Sequence, residues 1–207
     1  MGQRQREKSE LTRERILAAA ENEFSEKGFF GARVDAIAQA SGVNKRMIYA
    51  HFESKEGLYS KVLCLVYERL AECERSFMTD EVDPREAIRK IISVSFDFLL
   101  ADSAFVRILM WENLNEARSV PAMDIIRLKA PTLEYMKHKI RRGKEMGIFR
   151  PDADEEQTVL SLMNFCFSYF SNIHTMSLIF NKDMASKKEV SARAEYISDM
   201  LLRYLCT

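Results

Sequence analysis

Apolar residues recur along most of this chain with the three- and four-residue spacing that is typical of amphipathic helices. The spacing predicts a first helix over 11–27, and Gly28 supplies a left-handed residue to end it. Two short helices follow over 34–40 and 45–50, and Asn44 is placed to cap the second of them. The first quarter of the chain is therefore expected to consist of short helices joined by tight turns.

The rest of the chain is expected to form longer helices, because no glycine occurs between Gly57 and Gly143. Capping residues or prolines mark most of the predicted starts. The first three predicted spans are about 54–77, 84–100 and 103–111. Pro121 and Pro131 are expected to break or restart the next helical stretch, which ends at Gly143 or Gly147. A helix over 155–181 and a last helix after Ser186 complete the prediction. The predicted fold class is all-α, with about nine helices and no strand.

The composition agrees with a helical globular protein and leaves its function open. Hydrophobic residues make up 47% of the 207 residues, and the seven glycines and four prolines are too few for the turns of an all-β chain. Lysine plus arginine equals aspartate plus glutamate, at 31 each, so the net charge favours no class of partner. The four cysteines form no CxxC pair, and we interpret them as reduced thiols rather than as disulfides or zinc ligands.

The sequence predicts neither a secreted nor a membrane protein. The first residues are charged and lack the apolar run of a signal peptide. The uncharged stretch 158–181 is interrupted by nine polar residues, which favours a central buried helix over a membrane span. We therefore expect a cytoplasmic location.

Three residues in the first quarter of the chain have the offsets of a helix-turn-helix. Two helices that cross at about 90–120° need a small residue at the crossing, and Ala38 meets that need. Gly42, four residues later, tolerates the positive φ that the turn requires. Ile48, six residues after Gly42, supplies an apolar contact back to the first helix. These offsets predict a helix-turn-helix over the second and third helices.

The sequence around this motif resembles the DNA-binding region of the TetR/AcrR family of bacterial regulators over about 50 residues. It departs from the family pattern at Ala32 and Arg33, where two hydroxyl residues are usual, so a side-chain cap is missing and Arg33 is available for a phosphate. Arg46 and Met47 are also bulkier than the small residues common in the family. The matching positions are Thr12, Arg13, Ile16, Leu17, Ala19, Ala20, Phe24, Glu26, Gly28, Phe29, Val34, Ile37, Ala38, Ala40, Gly42, Val43, Tyr49, His51, Phe52, Ser54, Lys55, Glu56 and Leu58.

The resemblance implies that the third helix is the recognition helix. Arginine and lysine side chains read guanine in the major groove, and a tyrosine hydroxyl can hold a phosphate. The alternative is a solvated basic pair beside a packed tyrosine, with Lys55 as a surface lysine and His51 as a packing residue. The predicted DNA-binding residues are Arg33, Asn44, Lys45, Arg46, Met47, Tyr49, His51 and Lys55.

The resemblance also implies two domains, a helix-turn-helix domain over 1–53 and an effector-binding and dimerisation domain over 54–207. Aromatic residues and methionines are abundant in the second domain, and the family resemblance implies an effector cavity among them. The alternative for each residue is plain core packing, and for His174 a hydrogen-bonded core histidine. The predicted ligand-binding residues are Phe105, Trp111, Asn115, Met163, Phe167, Phe170 and His174.

Dimerisation is expected because one recognition helix reads too few base pairs, whereas a two-fold dimer places two helices in successive major grooves. The last helix carries a narrow apolar stripe, which we call the C-terminal seam, and a face of the uncharged helix offers a second surface. Pairing both would give an isologous four-helix contact. The alternative is that the seam packs on its own subunit. The predicted dimer residues are those of the seam: Val190, Ala194, Ile197, Leu201 and Tyr204.

The function predicted is that of a homodimeric transcriptional regulator, a repressor that a small hydrophobic effector releases from a palindromic operator in double-stranded DNA. Activation is an alternative to repression, and a DNA-organising or protein-interacting protein of the same fold without an effector is an alternative function. Glu134 and His138 lack the repeated partners of a di-iron bundle, and no HExxH, P-loop or GxSxG motif occurs. We therefore expect no enzymatic activity, no cofactor, no metal and no membrane partner.

Overall fold

The regular structure of the chain is helical. A computed structural model describes residues 3–79 and 83–206, and within these ranges the only strand-like pairing is an isolated bridge between Phe149 and Cys206. The all-α fold class is confirmed, with ten helices in the described ranges rather than about nine. The helices are α1 (Gln3–Gly31), α2 (Val34–Ser41), α3 (Lys45–Phe52), α4 (Lys55–Arg75), α5 (Pro84–Ala101), α6 (Ser103–Leu114), α7 (Ala122–Glu145), α8 (Glu155–Ser171), α9 (Ile173–Phe180) and α10 (Lys187–Leu205).

The chain packs as two compact units. Unit 1 comprises Met1–Glu68 and Ala104–Ile125, and unit 2 comprises Arg69–Ser103 and Ile126–Thr207. Unit 1 therefore contains α1 to α3, the first part of α4 and nearly all of α6. The predicted boundary between residues 53 and 54 is a different division of the chain and stays a prediction.

Helix α1 begins earlier than predicted and changes direction where predicted. It starts at Gln3 instead of Leu11, because most residues between them are good helix formers, and the side chains of residues 5–10 are exposed. Gly28 has φ 66° and ψ 178°, which is not helical, and one further turn continues to Gly31. Glycine adopts this conformation without the strain that a side chain would add. The kink directs Phe29 towards α4, where its ring lies 5.2 Å from that of Tyr59.

Two expectations about helix breaks are wrong. Pro131 neither breaks nor restarts α7, which passes through it. A buried lysine and a buried threonine flank this proline and hold the helix on both sides. Conversely, the uncharged stretch predicted as one helix over 155–181 divides at Asn172 into α8 and α9. The Asn172 backbone leaves the helical region at φ −110° and ψ 7°, and its side-chain amide donates to the Ser168 carbonyl at 2.9 Å.

The prediction that this uncharged stretch is a central buried helix holds for α8 only. Helix α8 buries six residues, including Leu162, Cys166 and Phe170, whereas α9 buries none. Within the described ranges, no helix is long and apolar enough to cross a membrane.

The core of unit 2 forms where α5 packs against α8 and α10. Ile88, Ile91 and Phe96 of α5 are almost completely buried, as are Ile197 and Leu205 of α10. Burying each side chain of this size stabilises the fold by roughly 1.5–3 kcal/mol. The Phe96 ring also lies 5.3 Å from that of Phe170.

A charged cluster lies buried in the same unit. Lys129 of α7 donates to both carboxylate oxygens of Glu74 on α4, and the Thr132 hydroxyl donates to Glu74 Oε2 at 2.7 Å. All three residues are at most 8% exposed. An isolated buried charge is very costly, so neither side chain is tolerated here without the other.

Candidate nucleic-acid interface

Helices α2 and α3 form the predicted helix-turn-helix in unit 1. Ile37 and Ile48 are fully buried, and Ala38 is nearly so. Gly42 caps α2 in the left-handed conformation, with φ 66° and ψ 29°, and the N–H of Val43 donates to the Ala38 carbonyl at 3.1 Å. The three residues that predicted the motif therefore have the predicted roles of crossing, turn and apolar anchor.

Helix α1 holds this motif through two polar contacts that the sequence analysis missed. Arg15 donates from its guanidinium to the carbonyl of Ser41, the last residue of α2. Glu23 accepts the backbone N–H of Arg33 at 3.0 Å, at the position where the usual hydroxyl cap is absent. Although burial acts in the opposite direction, hydrogen bonds from Lys27 and Arg33 lower the pKa of Glu23. The missing cap at Ala32 and Arg33 was the available signal, because an uncapped helix start needs an acceptor from elsewhere.

Helix α3 presents the predicted contact residues to solvent. Asn44 caps it by accepting the N–H of Met47 at 2.9 Å, which confirms the predicted cap. Lys45 and Arg46 are exposed, and Met47 and Tyr49 are exposed to 38% and 39%. Because Ile48 anchors the opposite side, the basic face has a rigid support.

The two basic residues of this face have different surroundings. Lys45 Nζ lies 3.0 Å from a carboxylate oxygen of Asp35 on α2. The hydrogen bond and the negative charge of Asp35 raise the pKa of Lys45. No ion pair of Arg46 occurs in the described parts of the chain, so its guanidinium donors are available to a base or a phosphate.

The junction between α3 and α4 places the last two predicted DNA contacts. Glu53 adopts φ 65°, and the Ser54 hydroxyl accepts the N–H of Gly57 at 3.0 Å, which caps α4. His51 is half-buried in the last turn of α3. Lys55 Nζ lies 4.8 Å from the centre of the Phe29 ring, a cation–π contact that orients this lysine.

Three predicted pocket residues lie in unit 1, and Trp111 has a structural contact there. Its indole Nε1–H donates to the Ser25 carbonyl at 3.2 Å, and its ring covers Gly28 so closely that an added Cβ would lie 2.7 Å from the ring. The Phe105 ring packs 5.6 Å from that of Tyr67. Asn115, the third, donates from its side-chain amide to Glu112 of α6 and to the Ser119 hydroxyl in the α6–α7 connection. Trp111 therefore ties α6 to the kink of α1, and a ligand-binding role for it stays a prediction.

The other four predicted pocket residues lie in unit 2 and differ in exposure. Phe170 is buried, Phe167 is half-buried, and Met163 and His174 are exposed. A groove of about 340 Å³ lies between α5 and α10, and none of the seven predicted pocket residues lines it. Its walls include Arg89, Asp97, Glu195 and Asp199, and Phe96 forms part of its floor. A ligand-binding role for these four residues also stays a prediction.

The C-terminal seam packs mostly on its own subunit. Val190, Ile197 and Leu201 are at most 5% exposed within unit 2, so they pack in the core of their own subunit, and a contribution of these residues to a dimer surface stays a prediction. The spacing of the seam correctly predicted a buried apolar face of α10, but the helix that covers this face is α5 of the same chain. Ala194 is half-buried, and Tyr204 is 50% exposed. The exposed apolar face of α10 consists of Tyr196, Met200 and Tyr204, at four-residue spacing.

A helix-turn-helix with a buried apolar support and a basic outer face defines a DNA-binding protein. Residues 16–62 match the family model for bacterial regulatory proteins of the tetR family, and residues 84–201 match that for the tetracyclin repressor-like C-terminal domain. The chain therefore belongs to the TetR family of transcriptional regulators, which confirms the predicted family and the DNA-binding function.

Individual relatives agree over nearly the full chain. The chain is 32% identical over 200 residues to the transcriptional repressor NicS of Pseudomonas putida. The aligned region covers 96% of this chain and 94% of NicS. A transcriptional regulator from Streptomyces coelicolor has a TM-score of 0.72 at 26% identity, covering 94% of this chain and 98% of that structure. FadR of Bacillus subtilis, solved with stearoyl-CoA, has a TM-score of 0.70 at 16% identity, and the match covers 92% of this chain and 97% of that structure. At this identity the likeness shows that the two chains share a fold.

Proposed function

We propose that this protein is a homodimeric repressor that binds a palindromic operator through α3 and releases it when a small hydrophobic effector binds. The observation that carries the proposal is the exposed basic face of α3 on the buried anchor Ile48. The similarity to the repressor NicS favours repression over activation. Since the target is chromosomal DNA, we place the protein in the cytoplasm.

The roles proposed for the interface residues follow from their surroundings. Arg46, whose guanidinium has no ion pair among the described residues, reads a base edge in the major groove. Lys55 and Arg33 contact phosphates, because each is anchored beside the recognition helix, and Tyr49 does so from the exposed side of that helix. The list of proposed DNA contacts is completed by Asn44, Lys45, Met47 and His51.

Replacing Arg46 by alanine is expected to weaken operator binding by about 1–3 kcal/mol, if the arginine makes a bidentate base contact. Folding should be unchanged, because the side chain is exposed. The measurement is a gel-shift titration with the native operator and with a scrambled duplex of equal length. Arg142→Ala, which removes the same charge from an exposed position on α7, is the matched control. Equal operator affinities of the Arg46 and Arg142 variants would refute the assignment.

The dimer surface that we propose is the exposed apolar face of α10 together with Leu160 of α8. Leu160 is 49% exposed in the single chain. Both helices belong to unit 2, and their exposed apolar faces are the kind of patch that marks an interface between proteins. A two-fold axis would pair each helix with its copy, giving an isologous contact.

Replacing both Tyr196 and Met200 by glutamate is expected to yield monomers near 24.0 kDa with greatly reduced operator affinity. The charges would be desolvated without partners at the contact, while the single subunit keeps them in solvent. Sedimentation at micromolar concentration gives the mass, and circular dichroism checks the fold. Glutamates at Ala130 and His138, which are exposed on α7, are the control and should leave the dimer intact. A wild-type monomer would overturn this part of the proposal.

Two sets of residues are proposed as effector contacts, each considered within its own unit: Phe105, Trp111 and Asn115 in unit 1, and Met163, Phe167, Phe170 and His174 in unit 2. A ligand can reduce operator affinity only if it binds better to the conformation that does not bind DNA. Helix α4 supports this mechanism, because it follows the recognition helix and continues from unit 1 into unit 2.

A further inference from the structure

Helix α1 begins about two turns before the point where it first contacts the helix-turn-helix. In these first turns the side chains of residues 5–10, which we call the α1 extension, are all exposed. A helix segment that is solvated on every side gains no stability from burial in its own chain. Packing within unit 1 therefore does not explain the charged side chains of the α1 extension.

Acidic and basic side chains are separated around this part of α1. Three glutamates follow one another at three- and four-residue spacing, which places them on one face of the helix. They are Glu7, Glu10 and Glu14. Arg6 precedes Arg13 by seven residues, and Lys8 precedes Arg15 by the same interval, so these residues form two basic rows on other faces. Neither Arg6 nor Lys8 has an ion pair in the described parts of the chain.

The later residue of each basic row contacts the helix-turn-helix beside one end of α3. Arg15 donates to the carbonyl of Ser41, which ends α2 just before the turn into α3, and a Cβ added at Gly42 would lie 2.6 Å from this guanidinium. The Arg13 guanidinium lies 5.7 Å from the ring centre of Phe52, the last residue of α3. The two rows therefore begin beside the start and the end of the recognition helix.

The earlier residues of the two rows lie beyond the motif. Arg6 and Lys8 are each seven residues, or about 10 Å along the helix axis, from the residue that contacts the motif. A DNA duplex carries one phosphate charge per about 1.7 Å of its axis, so its backbone continues past the base pairs that one helix reads. Exposed basic side chains at this distance from α3 are complementary to that backbone, whereas the glutamate face would be repelled by it.

We propose that Arg6 and Lys8 of the α1 extension bind phosphates of the DNA backbone next to the base pairs that α3 contacts. The proposal rests on the proposed function, because it requires α3 to lie in the major groove of the operator. It adds to the DNA interface a helix that lies outside the helix-turn-helix. Because phosphates carry no sequence information, these contacts strengthen binding to every duplex and select none.

The dependence of DNA affinity on salt tests the proposal in the full-length protein. The variant combines Arg6→Ala with Lys8→Ala and is compared with the wild type between about 50 and 200 mM salt. Each lost phosphate contact should lower the slope of log affinity against log salt by about 1, so the expected decrease is about 2 for each bound subunit. Affinity for a scrambled duplex should fall by the same factor as affinity for the operator. Circular dichroism checks that the fold is kept.

Two control variants separate phosphate contacts from a change in total charge or in helix stability. Lys90→Ala combined with Arg142→Ala removes the same charge from exposed positions in unit 2 and should leave the slope nearly unchanged. Glu7→Gln combined with Glu10→Gln removes two charges that repel phosphates, so it should strengthen binding to both duplexes. A purely structural role of the α1 extension would not give effects of opposite sign for its basic and acidic residues.

The results distinguish this proposal from the proposed function of α3. Equal slopes for the wild type and the Arg6 and Lys8 variant would overturn the phosphate contacts and leave the assignment of Arg46 intact. A loss of affinity confined to the native operator would also overturn them, because it would indicate contacts to bases. A lowered slope beside an Arg46→Ala variant of unchanged affinity would support the phosphate contacts and refute base reading by Arg46.

Discussion

Replacing Lys129 by methionine is expected to destabilise the protein by about 3–5 kcal/mol, because it leaves the Glu74 carboxylate buried without its cation. Methionine has nearly the same length as the lysine stem, so little packing volume is lost. The remaining hydrogen bond from Thr132 cannot compensate a buried negative charge. Urea denaturation followed by circular dichroism at neutral pH measures the loss.

Two further variants separate the buried charge from other effects. Glu74→Gln combined with Lys129→Met removes both charges and should recover much of the stability, since paired removal of buried ions is often neutral. Arg118→Met breaks an exposed ion pair with Glu116 and should cost less than about 1 kcal/mol. A loss for Lys129→Met as small as for Arg118→Met would contradict the buried ion pair.

Replacing Gly28 by alanine is the second change with a large expected effect, for two independent reasons. At φ 66° and ψ 178°, a side chain strains the backbone by about 1–3 kcal/mol. The new Cβ would also lie 2.7 Å from the Trp111 ring, and such overpacking costs roughly 1–3 kcal/mol more. Either the α1 kink or α6 must shift, so operator affinity should fall together with stability.

Two further variants separate the cost of backbone strain from the cost of the collision with Trp111. They are Gly147→Ala and the double variant Gly28→Ala with Trp111→Ala. Gly147 also has φ 66°, but nothing lies within 4 Å of its Cβ position, so its alanine variant shows backbone strain alone. Adding Trp111→Ala to Gly28→Ala removes the collision and should make the double variant less unstable than the two single losses combined. Strict additivity in thermal denaturation would show that Gly28 and Trp111 do not act on each other.

Features of this structure that depend on interactions between residues close in the sequence were predictable, and features that depend on contacts between distant helices were not. A cap such as Asn44 acts on a neighbouring N–H, so the start of α3 was predictable. The Gly42 turn was predictable for the same reason. The break at Asn172 was not, because the residues beyond it keep the apolar pattern of a helix while α9 finds no core to cover.

The candidate site shows the same distinction. Exposure of Lys45 and Arg46 followed from the inward direction of Ile48, which is a property of one helix. The Trp111 contact with Ser25 and the seam's contact with α5 depend on which distant helices meet, and apolar spacing does not encode the partner. The helical period predicted for Val190 and Ile197 is therefore observed, but they pack on α5 of the same chain instead of on a second subunit. Tyr196 and Met200 lie on the exposed face of the helix.

The ion pair between Lys45 and Asp35 has a consequence for the energetics of DNA binding. A lysine that reaches the duplex from bulk solvent displaces a condensed cation, and that release is a gain in entropy. Lys45 brings its own counter-charge, because Asp35 lies 3.0 Å away on α2. A phosphate must compete with this carboxylate, and the carboxylate is itself repelled by the DNA. In the proposed interface, Lys45 would thus contribute less to general attraction than its charge suggests, and Arg46 would carry a greater share of the binding free energy.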